Sequence, residues 1–389
     1  MRLGLSYRAV FLIVAFAMFA VVMIFGASAL SATRGNDAGT VAQMAQTIAA
    51  ARIEGGYAVM AWFFAHTNAA MRVGIEILLA TAFILMCLWP LRHRRWLAIM
   101  TFLLIAPILF FLTLFIKDTA LVVFVIGSAL VMRSRLPEIA KIALVCAIYG
   151  VFALYFRQYY YLIIVVFLCL CLLRTLPPVL QVAAVMVGVV ALAFVPSDIF
   201  YQLQHARDSV NAFRIGRDVA GARTAFVNIV EPGGYGNFLI NYGYAIARLH
   251  LPFLFGQFRM QEAYLLMNLA TYGWLVWTGL RSRDRLVQTP VLLVVSHFAV
   301  LMLFEPDLGS YLRHLSSALP YLVPAAVLLD RPARRVVAAF AARRWTGARS
   351  APAPSQQAAH RGPLARGDPA SGGVPVARRG RRRGLEPRG

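Results

Sequence analysis

Residues 73–95 read VGIEILLATAFILMCLWPLRHRR, an apolar run that ends in three arginines. An α-helix needs about 20 predominantly apolar residues to cross the hydrocarbon core of a bilayer. Lys and Arg clustered in a short loop tend to stay on the cytoplasmic side of the membrane. The stretch therefore predicts a membrane-spanning helix whose C-terminal end faces the cytoplasm.

The same pattern repeats along most of the chain. Of the 389 residues, 60% are hydrophobic and only 14% are charged, a balance that is atypical of soluble globular proteins. The bilayer core contains no water, so a spanning segment must satisfy its own backbone polar groups, and a helix does so. We predict an all-α polytopic membrane helix bundle with about ten transmembrane helices. The spans are predicted at residues 9–31, 73–91, 96–116, 119–132, 138–156, 159–173, 178–197, 262–280, 288–304 and 315–329.

Every second loop between these spans is basic. Arg or Lys follows the second, fourth, sixth, eighth and tenth predicted spans, and Arg2 and Arg8 precede the first. If basic loops stay inside, an even number of spans with both termini in the cytoplasm is self-consistent. The remaining loops then face outward, and residues 1–330 form one polytopic membrane domain.

Residues 331–389 differ in composition from the membrane domain. They hold 14 Arg against two acidic residues, Asp368 and Glu386, and so supply +12 of the formal net charge of +22. Such a Pro-, Gly-, Ala- and Arg-rich segment has too little apolar surface to offset the entropy lost on folding. We predict a disordered, Arg-rich cytoplasmic tail. A solvated tail accounts for the charge, so nucleic acid is not an expected partner.

The longest stretch between predicted spans covers residues 198–261, which we place as a large outward loop between spans 7 and 8. It is too rich in aromatic and apolar residues to be disordered, so we expect it to fold over the outer face. Residues 237–249 predict an interfacial helix with Tyr235, Tyr242 and Tyr244 as headgroup-level anchors. An eleventh span is the main alternative, but it would place the basic loop after the eighth span outside.

A few charged side chains lie near the outward ends of the predicted spans, where a charge is costly unless it pairs or has a function. Guanidinium groups suit phosphate oxygens because two parallel N–H donors meet two oxygens. Arg214 and Arg217 are three residues apart and would share one face of a helix. The candidate functional residues of this outward set are Glu54, Lys117, Asp118, Arg157, Arg214, Arg217, Arg313 and His314.

Simpler interpretations compete with a functional role. Arg157 and the tyrosines after it would also suit a membrane interface. Arg313 would also suit a plain ion pair with Glu305 or Asp307. The sequence contains no H-E-x-x-H motif, no Cys/His cluster and no P-loop, so we expect neither a metal ion nor a cofactor.

Short strings occur in a characteristic order along the outward segments. They are Asn36-Asp37, Glu54-Gly55-Gly56-Tyr57, Phe115-Ile116-Lys117-Asp118, Phe156-Arg157-Gln158-Tyr159-Tyr160 and Arg313-His314. Together with the large Arg-containing loop, this layout resembles the bacterial exopolysaccharide and O-antigen polymerases, including the EpsG-like group. The resemblance covers residues 1–330.

The resemblance implies a metal-independent glycosyl transfer on the periplasmic face of the bacterial inner membrane. The donor would be a glycan on a polyprenyl diphosphate, and the acceptor a hydroxyl of a lipid-linked repeat unit. Charge on the diphosphate leaving group would be stabilised by Lys117, Arg157, Arg214, Arg217 and Arg313. The base would be Glu54, Asp118 or His314. Further implied partners are membrane lipid, a chain-length regulator and the export machinery.

Three other functions compete with polymerisation. An O-antigen ligase shares the diphosphate chemistry and is the closest alternative. A lipid-linked glycan flippase would need charges along a path through the membrane, yet the predicted spans carry almost none except at their ends. A metal-dependent transferase that uses polyprenyl-monophosphate sugars would show an acidic pair in its first outer loop, where Asn36-Asp37 offers a single carboxylate.

Overall fold

The structure is a computed structural model that describes residues 6–29, 39–46, 55–216, 224–256 and 259–330. Every regular element in these ranges is helical, which confirms the predicted all-α class for this part of the chain. The predicted disordered tail, residues 331–389, lies outside the described residues.

Most of the described helices follow one another with short connections. In chain order they are α1 (Tyr7–Ala29), α2 (39–46), α3 (Gly55–Ala65), α4 (Ala69–Leu88), α5 (Arg94–Leu103), α6 (Ile105–Phe110), α7 (Lys117–Arg133), α8 (Glu138–Tyr155), α9 (Tyr160–Leu173), α10 (Pro178–Leu192), α11 (Ser197–Gly216), α12 (Tyr235–His250), α13 (Met260–Leu280), α14 (Arg285–Phe304), α15 (Leu308–Ser317) and α16 (Leu319–Asp330), with a 3₁₀-helix at Pro252–Phe255 before α13.

Within the described ranges, four helices are long and apolar enough to cross a membrane: α1, α4, α8 and α14. Two bent pairs also pass this test when each pair is taken together. In the first, α10 meets the start of α11 at 93°, and in the second, α15 meets α16 at 63°. The part of the chain that the structure describes therefore has four to six helical segments of membrane-spanning character. The predicted count of about ten spans is not confirmed by helix length and composition.

The predicted span at residues 96–116 is not one helix. It is divided at Leu104 into α5 and α6, and the chain then leaves the helical conformation between Phe110 and Lys117. Pro107 explains the break, because it has no N–H to donate to Leu103 and its ring crowds that carbonyl. After α6, the non-helical residues 111–116 lead into the start of α7, where Asp118 lies.

The core of the bundle is built around α14, which packs against α9, α13 and α16 and is the most buried of the four spanning helices. In contrast, α10 has no buried residue, although it is almost entirely apolar. An apolar helix with exposed side chains is what a lipid-facing position requires.

Several contacts bring distant helix ends together at one end of the bundle, which we call the Asp330 end. Arg8 Nε donates to the Leu91 carbonyl over 3.1 Å. The backbone N–H groups of Arg92 and His93 donate to the two carboxylate oxygens of Asp330 over 2.8 and 2.9 Å. The start of α1 and the end of α16 therefore lie at the same end of the bundle, as the predicted topology requires.

The predicted loop at 198–261 is largely helical. It contains α11 and α12, and α12 covers the helix predicted at residues 237–249. Tyr242 on α12 donates to the Ala299 carbonyl of α14 over 2.8 Å. His250 Nδ1 donates to Ile246, so its Nε2 accepts from the Tyr311 hydroxyl, 3.1 Å away. These bonds attach α12 to α14 and α15.

Candidate functional site

Asp118 lies in the first turn of α7, at the opposite end of the bundle from Asp330. Its helix start is defined locally, because the Ile116 N–H donates to Thr119 Oγ1 over 3.1 Å. A carboxylate in the first turn is favoured by the positive end of the helix dipole. Asp118 is nevertheless only 2% exposed, so its charge requires partners within the protein.

Arg157 supplies the first of these partners. It follows the C-terminal end of α8, and its Nη2 donates to Asp118 Oδ1 over 2.6 Å. Its Nη1 donates to the Tyr159 hydroxyl over 2.8 Å, and the Tyr159 ring stacks on Phe304. Tyr159 therefore holds the guanidinium in place on the side away from Asp118.

Arg313 on α15 supplies the second partner. Its Nε lies 3.2 Å from Asp118 Oδ2, so one carboxylate lies between two guanidinium groups. The sequence suggested Glu305 or Asp307 as ion-pair partners for Arg313, and the structure adds Asp118, which is 195 positions away in the sequence. Sequence separation of this size is why the pairing was not foreseen.

His314 connects Asp118 to a second carboxylate. Its Nδ1 donates to Glu305 Oε1, and its Nε2 lies 3.5 Å from Asp118 Oδ1. Arg157 Nη1 also approaches His314 Nδ1, at the longer distance of 3.5 Å. We call Asp118, Arg157, Glu305, Arg313 and His314 the Asp118 cluster.

The pKa values in the Asp118 cluster reflect competition between burial and the cations. Burial raises the pKa of Asp118, but Arg157 and Arg313 lower it further, and the result is well below the usual range. Burial also raises the pKa of Glu305, and His314 and Arg157 more than reverse this effect. Both groups lie outside the predicted spans and are ionised at neutral pH.

The Asp118 cluster has a buried side and a more accessible side. The side chains of Asp118, Glu305 and His314 are 2 to 4% exposed, whereas those of Arg157 and Arg313 are 11% and 20% exposed. The carboxylates thus lie behind and hold the guanidinium groups, which are the most exposed parts of the Asp118 cluster. Such an arrangement suits an anion with several oxygens, such as a phosphate group.

The other predicted site residues are not joined to this cluster by described contacts. Lys117 Nζ donates to the Tyr57 hydroxyl over 2.8 Å and lies 4.0 Å from the centre of that ring. The predictions for Glu54, Arg217 and the Asn36-Asp37 string fall on residues outside the described ranges, as does the side chain of Arg214.

Glu305 and Tyr159 belong to the site but were not among the predicted functional residues. Glu305 directly follows α14 and precedes Pro306, and the turn to α15 brings it back to His314. A buried acid at the end of an apolar span was an available signal, because such a charge is costly without a partner. Tyr159 had no comparable signal, since tyrosines are common at span ends.

Comparisons with protein-family models, curated proteins and solved structures found no match to this chain. Within the described ranges, no three His, Cys, Asp or Glu side chains are arranged to hold a metal ion. The chemistry that the described site offers is that of two guanidinium groups, two carboxylates and one imidazole.

Proposed function

We propose that this chain is a glycosyltransferase of the bacterial inner membrane. It would polymerise polyprenyl-diphosphate-linked oligosaccharide repeat units into surface polysaccharide on the periplasmic face. The observation that carries this proposal is the pair of guanidinium groups, Arg157 and Arg313, held by the single buried carboxylate of Asp118. The order of the outward strings along the sequence gives a second, weaker reason.

A diphosphate leaving group is well matched to this pair. Negative charge accumulates on the diphosphate as its bond to the sugar breaks, and fixed donors that already point at that position stabilise it. Asp118 orients both guanidinium groups before any ligand arrives, which reduces the reorganisation needed during the reaction. A polyprenyl chain lying in the bilayer would bring its diphosphate to the ends of the helices, where the Asp118 cluster lies.

The acceptor hydroxyl must lose a proton, and the geometry favours His314 over Asp118 for this role. Both Asp118 oxygens face guanidinium groups, and protonation would weaken those contacts. His314 Nε2 lies 3.5 Å from Asp118 Oδ1 but makes no hydrogen bond, while Glu305 fixes the ring through Nδ1. In the proposed step, the acceptor oxygen bonds to the anomeric carbon, its proton passes to His314 Nε2, and the diphosphate leaves with the electron pair of the broken bond.

The wider setting of the reaction is part of the same proposal. Both chain termini would lie in the cytoplasm, and the Asp118 end of the bundle would face the periplasm. Membrane lipid would surround the apolar helices, and a chain-length regulator and export machinery would handle the product. Residues 331–389 would be a cytoplasmic tail without a catalytic role.

The test is to delete the gene in its native host and restore it with variants. We expect that Arg157→Ala, Arg313→Ala and Arg214→Ala will each abolish long-chain polymer while single repeat units and protein level remain. Arg174→Ala is the matched control, because Arg174 is 21% exposed and lies 3.7 Å from Glu138 at the other end of the bundle. This variant should make polymer of normal length.

Each outcome of the deletion assigns a function. Accumulated single repeat units without long chains would support a polymerase. Full-length chains retained on the carrier lipid would point to a ligase, and units trapped on the cytoplasmic leaflet would point to a flippase. Wild-type polymer in the Arg157 and Arg313 variants would contradict the role given to the two guanidinium groups.

A further inference from the structure

A second buried cation lies outside the Asp118 cluster. Arg207 on α11 is only 2% exposed, which is rare for an arginine unless it is paired. Its Nη2 donates to Asn228 Oδ1, while its Nε and Nη1 have no hydrogen-bond partner. A guanidinium group buried with unused donors carries a desolvation penalty that a ligand would relieve.

The Asp208 carboxylate is linked to Arg207 only through the side chain of Asn228. Asn228 Nδ2 donates to Asp208 Oδ2 over 2.7 Å, so the Asn228 amide stands between Arg207 and Asp208. Among the described residues, no carboxylate forms an ion pair with Arg207. Asp208 is therefore a counter-charge without direct contact, and the Nε and Nη1 atoms of Arg207 remain available to an anion.

A second guanidinium shares an aromatic neighbour with the first. The central carbons of the Arg207 and Arg248 guanidinium groups lie 4.9 and 5.7 Å from the centre of the Phe226 ring. Arg248 also lies 4.5 Å from the Phe255 ring and is only partly buried, so a ligand could enter past it. Two cations brought to one aromatic ring repel each other unless an anion joins them.

The position of this pair is linked to the Asp118 cluster. Asn211, one turn after Arg207 on α11, donates from Nδ2 to the carbonyls of Phe226 and Pro306, over 2.6 and 3.1 Å. Pro306 follows Glu305 directly, and Glu305 holds His314. Asn211 thus fixes Phe226 against the same turn that carries part of the Asp118 cluster.

We propose that Arg207 and Arg248 form a second anion subsite that binds a phosphate-bearing head group. Both substrates of the proposed reaction carry a lipid diphosphate, and the Asp118 cluster would take that of the donor. The Arg207 subsite would then take the diphosphate of the acceptor unit. This identification of the ligand rests on the proposed function, whereas the anion subsite itself rests on the unpartnered donors of Arg207.

The test measures binding of radiolabelled farnesyl diphosphate to the full-length protein in lipid nanodiscs. We expect two sites in the wild type. Arg207→Gln should remove one site, and the double variant Arg157→Ala/Arg313→Ala should remove the other. Arg248→Gln should weaken the Arg207 site by about tenfold, as expected for loss of one charge-assisted contact. Arg174→Gln, with its arginine at the Asp330 end, is the control and should keep both sites.

Two further measurements keep the test decisive. Arg207→Lys retains the charge at this buried position, so it should fold even if Arg207→Gln does not, and it should bind about tenfold more weakly at the Arg207 subsite. Competition with inorganic pyrophosphate and with phosphatidylglycerol then identifies the source of the phosphate group. Displacement by phosphatidylglycerol alone would overturn the assignment to the acceptor unit.

The two proposals can fail separately. Two intact sites in a folded Arg207→Gln variant, judged by unchanged elution and thermal midpoint, would overturn the subsite. That result would leave the polymer assay on Arg157 and Arg313 unaffected. Conversely, the Arg157→Ala and Arg313→Ala variants could make normal polymer while Arg207→Gln loses one binding site. That combination would refute the proposed function and support the subsite.

Discussion

Two buried aspartates at opposite ends of the bundle carry the same charge but have different partners. Asp118 is 2% exposed and lies between the side chains of Arg157 and Arg313. Asp330 is 4% exposed and accepts backbone N–H groups from Arg92 and His93, just before α5 begins. Burial alone therefore does not distinguish a candidate functional carboxylate from a structural one.

The partners make the distinction. Backbone N–H groups belong to the fold and cannot turn toward a ligand, so Asp330 acts as a structural link between the end of α16 and the turn before α5. Guanidinium groups on partly exposed side chains can exchange one contact for another or bind an anion while still held. The Asp118 end is therefore suited to chemistry, and the Asp330 end to holding the bundle together.

The largest effect is expected from Asp118→Asn, which removes the charge from between two guanidinium groups. We expect complete loss of long-chain polymer and a loss of about 3 kcal/mol of unfolding free energy, because the two guanidinium groups lose a common counter-charge. Polymer sizing in the complemented host and thermal unfolding of the purified protein measure the two effects. Normal polymer from this variant would remove the functional difference between the two ends.

A smaller effect, on stability alone, is expected from Gly279→Ala near the end of α13. A Cβ atom there would overlap Val291 Cγ2 on α14 and lie 3.1 Å from Val291 Cβ. Overpacking of this kind lowers the unfolding free energy by about 1 to 3 kcal/mol. Polymer length per molecule of protein should stay normal, since the change lies at the Asp330 end.

Gly273→Ala on the same helix is the matched control for Gly279→Ala. Its added Cβ would meet nothing within 4 Å. Replacing Gly by Ala within a helix then stabilises by about 0.5 to 1 kcal/mol. Thermal unfolding should rank the Gly273 variant above the wild type and the Gly279 variant below it. Equal midpoints for the two variants would show that α13 and α14 are less closely packed than described.

The smallest destabilisation is expected from Asp330→Asn, the counterpart of Asp118→Asn. The Asn side-chain oxygen can still accept one of the two backbone N–H groups, so we expect a loss of about 1 kcal/mol. Polymer length should be unchanged. If Asp330→Asn abolished polymer while the protein stayed folded, the Asp330 end would also contribute to function, and the contrast between the two aspartates would be wrong.

Much of the helical organisation could be predicted from apolar runs alone. The helix predicted at 237–249 is present as α12, and α4, α8 and α14 lie close to their predicted positions. The segment predicted as one span at residues 96–116 is instead divided into α5 and α6, because hydrophobicity alone takes no account of Pro107, which interrupts the helix. Hydropathy measures the preference for lipid and is insensitive to a single missing N–H.

The candidate site was predicted in part. Asp118, Arg157, Arg313 and His314 were chosen as separate outward charges, and the structure brings these four into contact. Glu305 was considered only as an ion-pair partner, and Arg207 was not among the candidate residues. Neither could be ranked without knowledge of burial, since exposed and buried charges look alike in sequence.

The sequence by itself determined that the chain is helical and suited to a membrane, because each apolar run must satisfy its backbone locally and a helix is the local solution. Its alternating basic loops also determined the predicted orientation. Only the tertiary structure decided which charges meet, that Asp118 holds two guanidinium groups while Asp330 binds the backbone just before α5, and that Arg207 is buried with unpaired donor atoms. Such contacts join residues far apart along the chain, and their positions follow from how the helices pack.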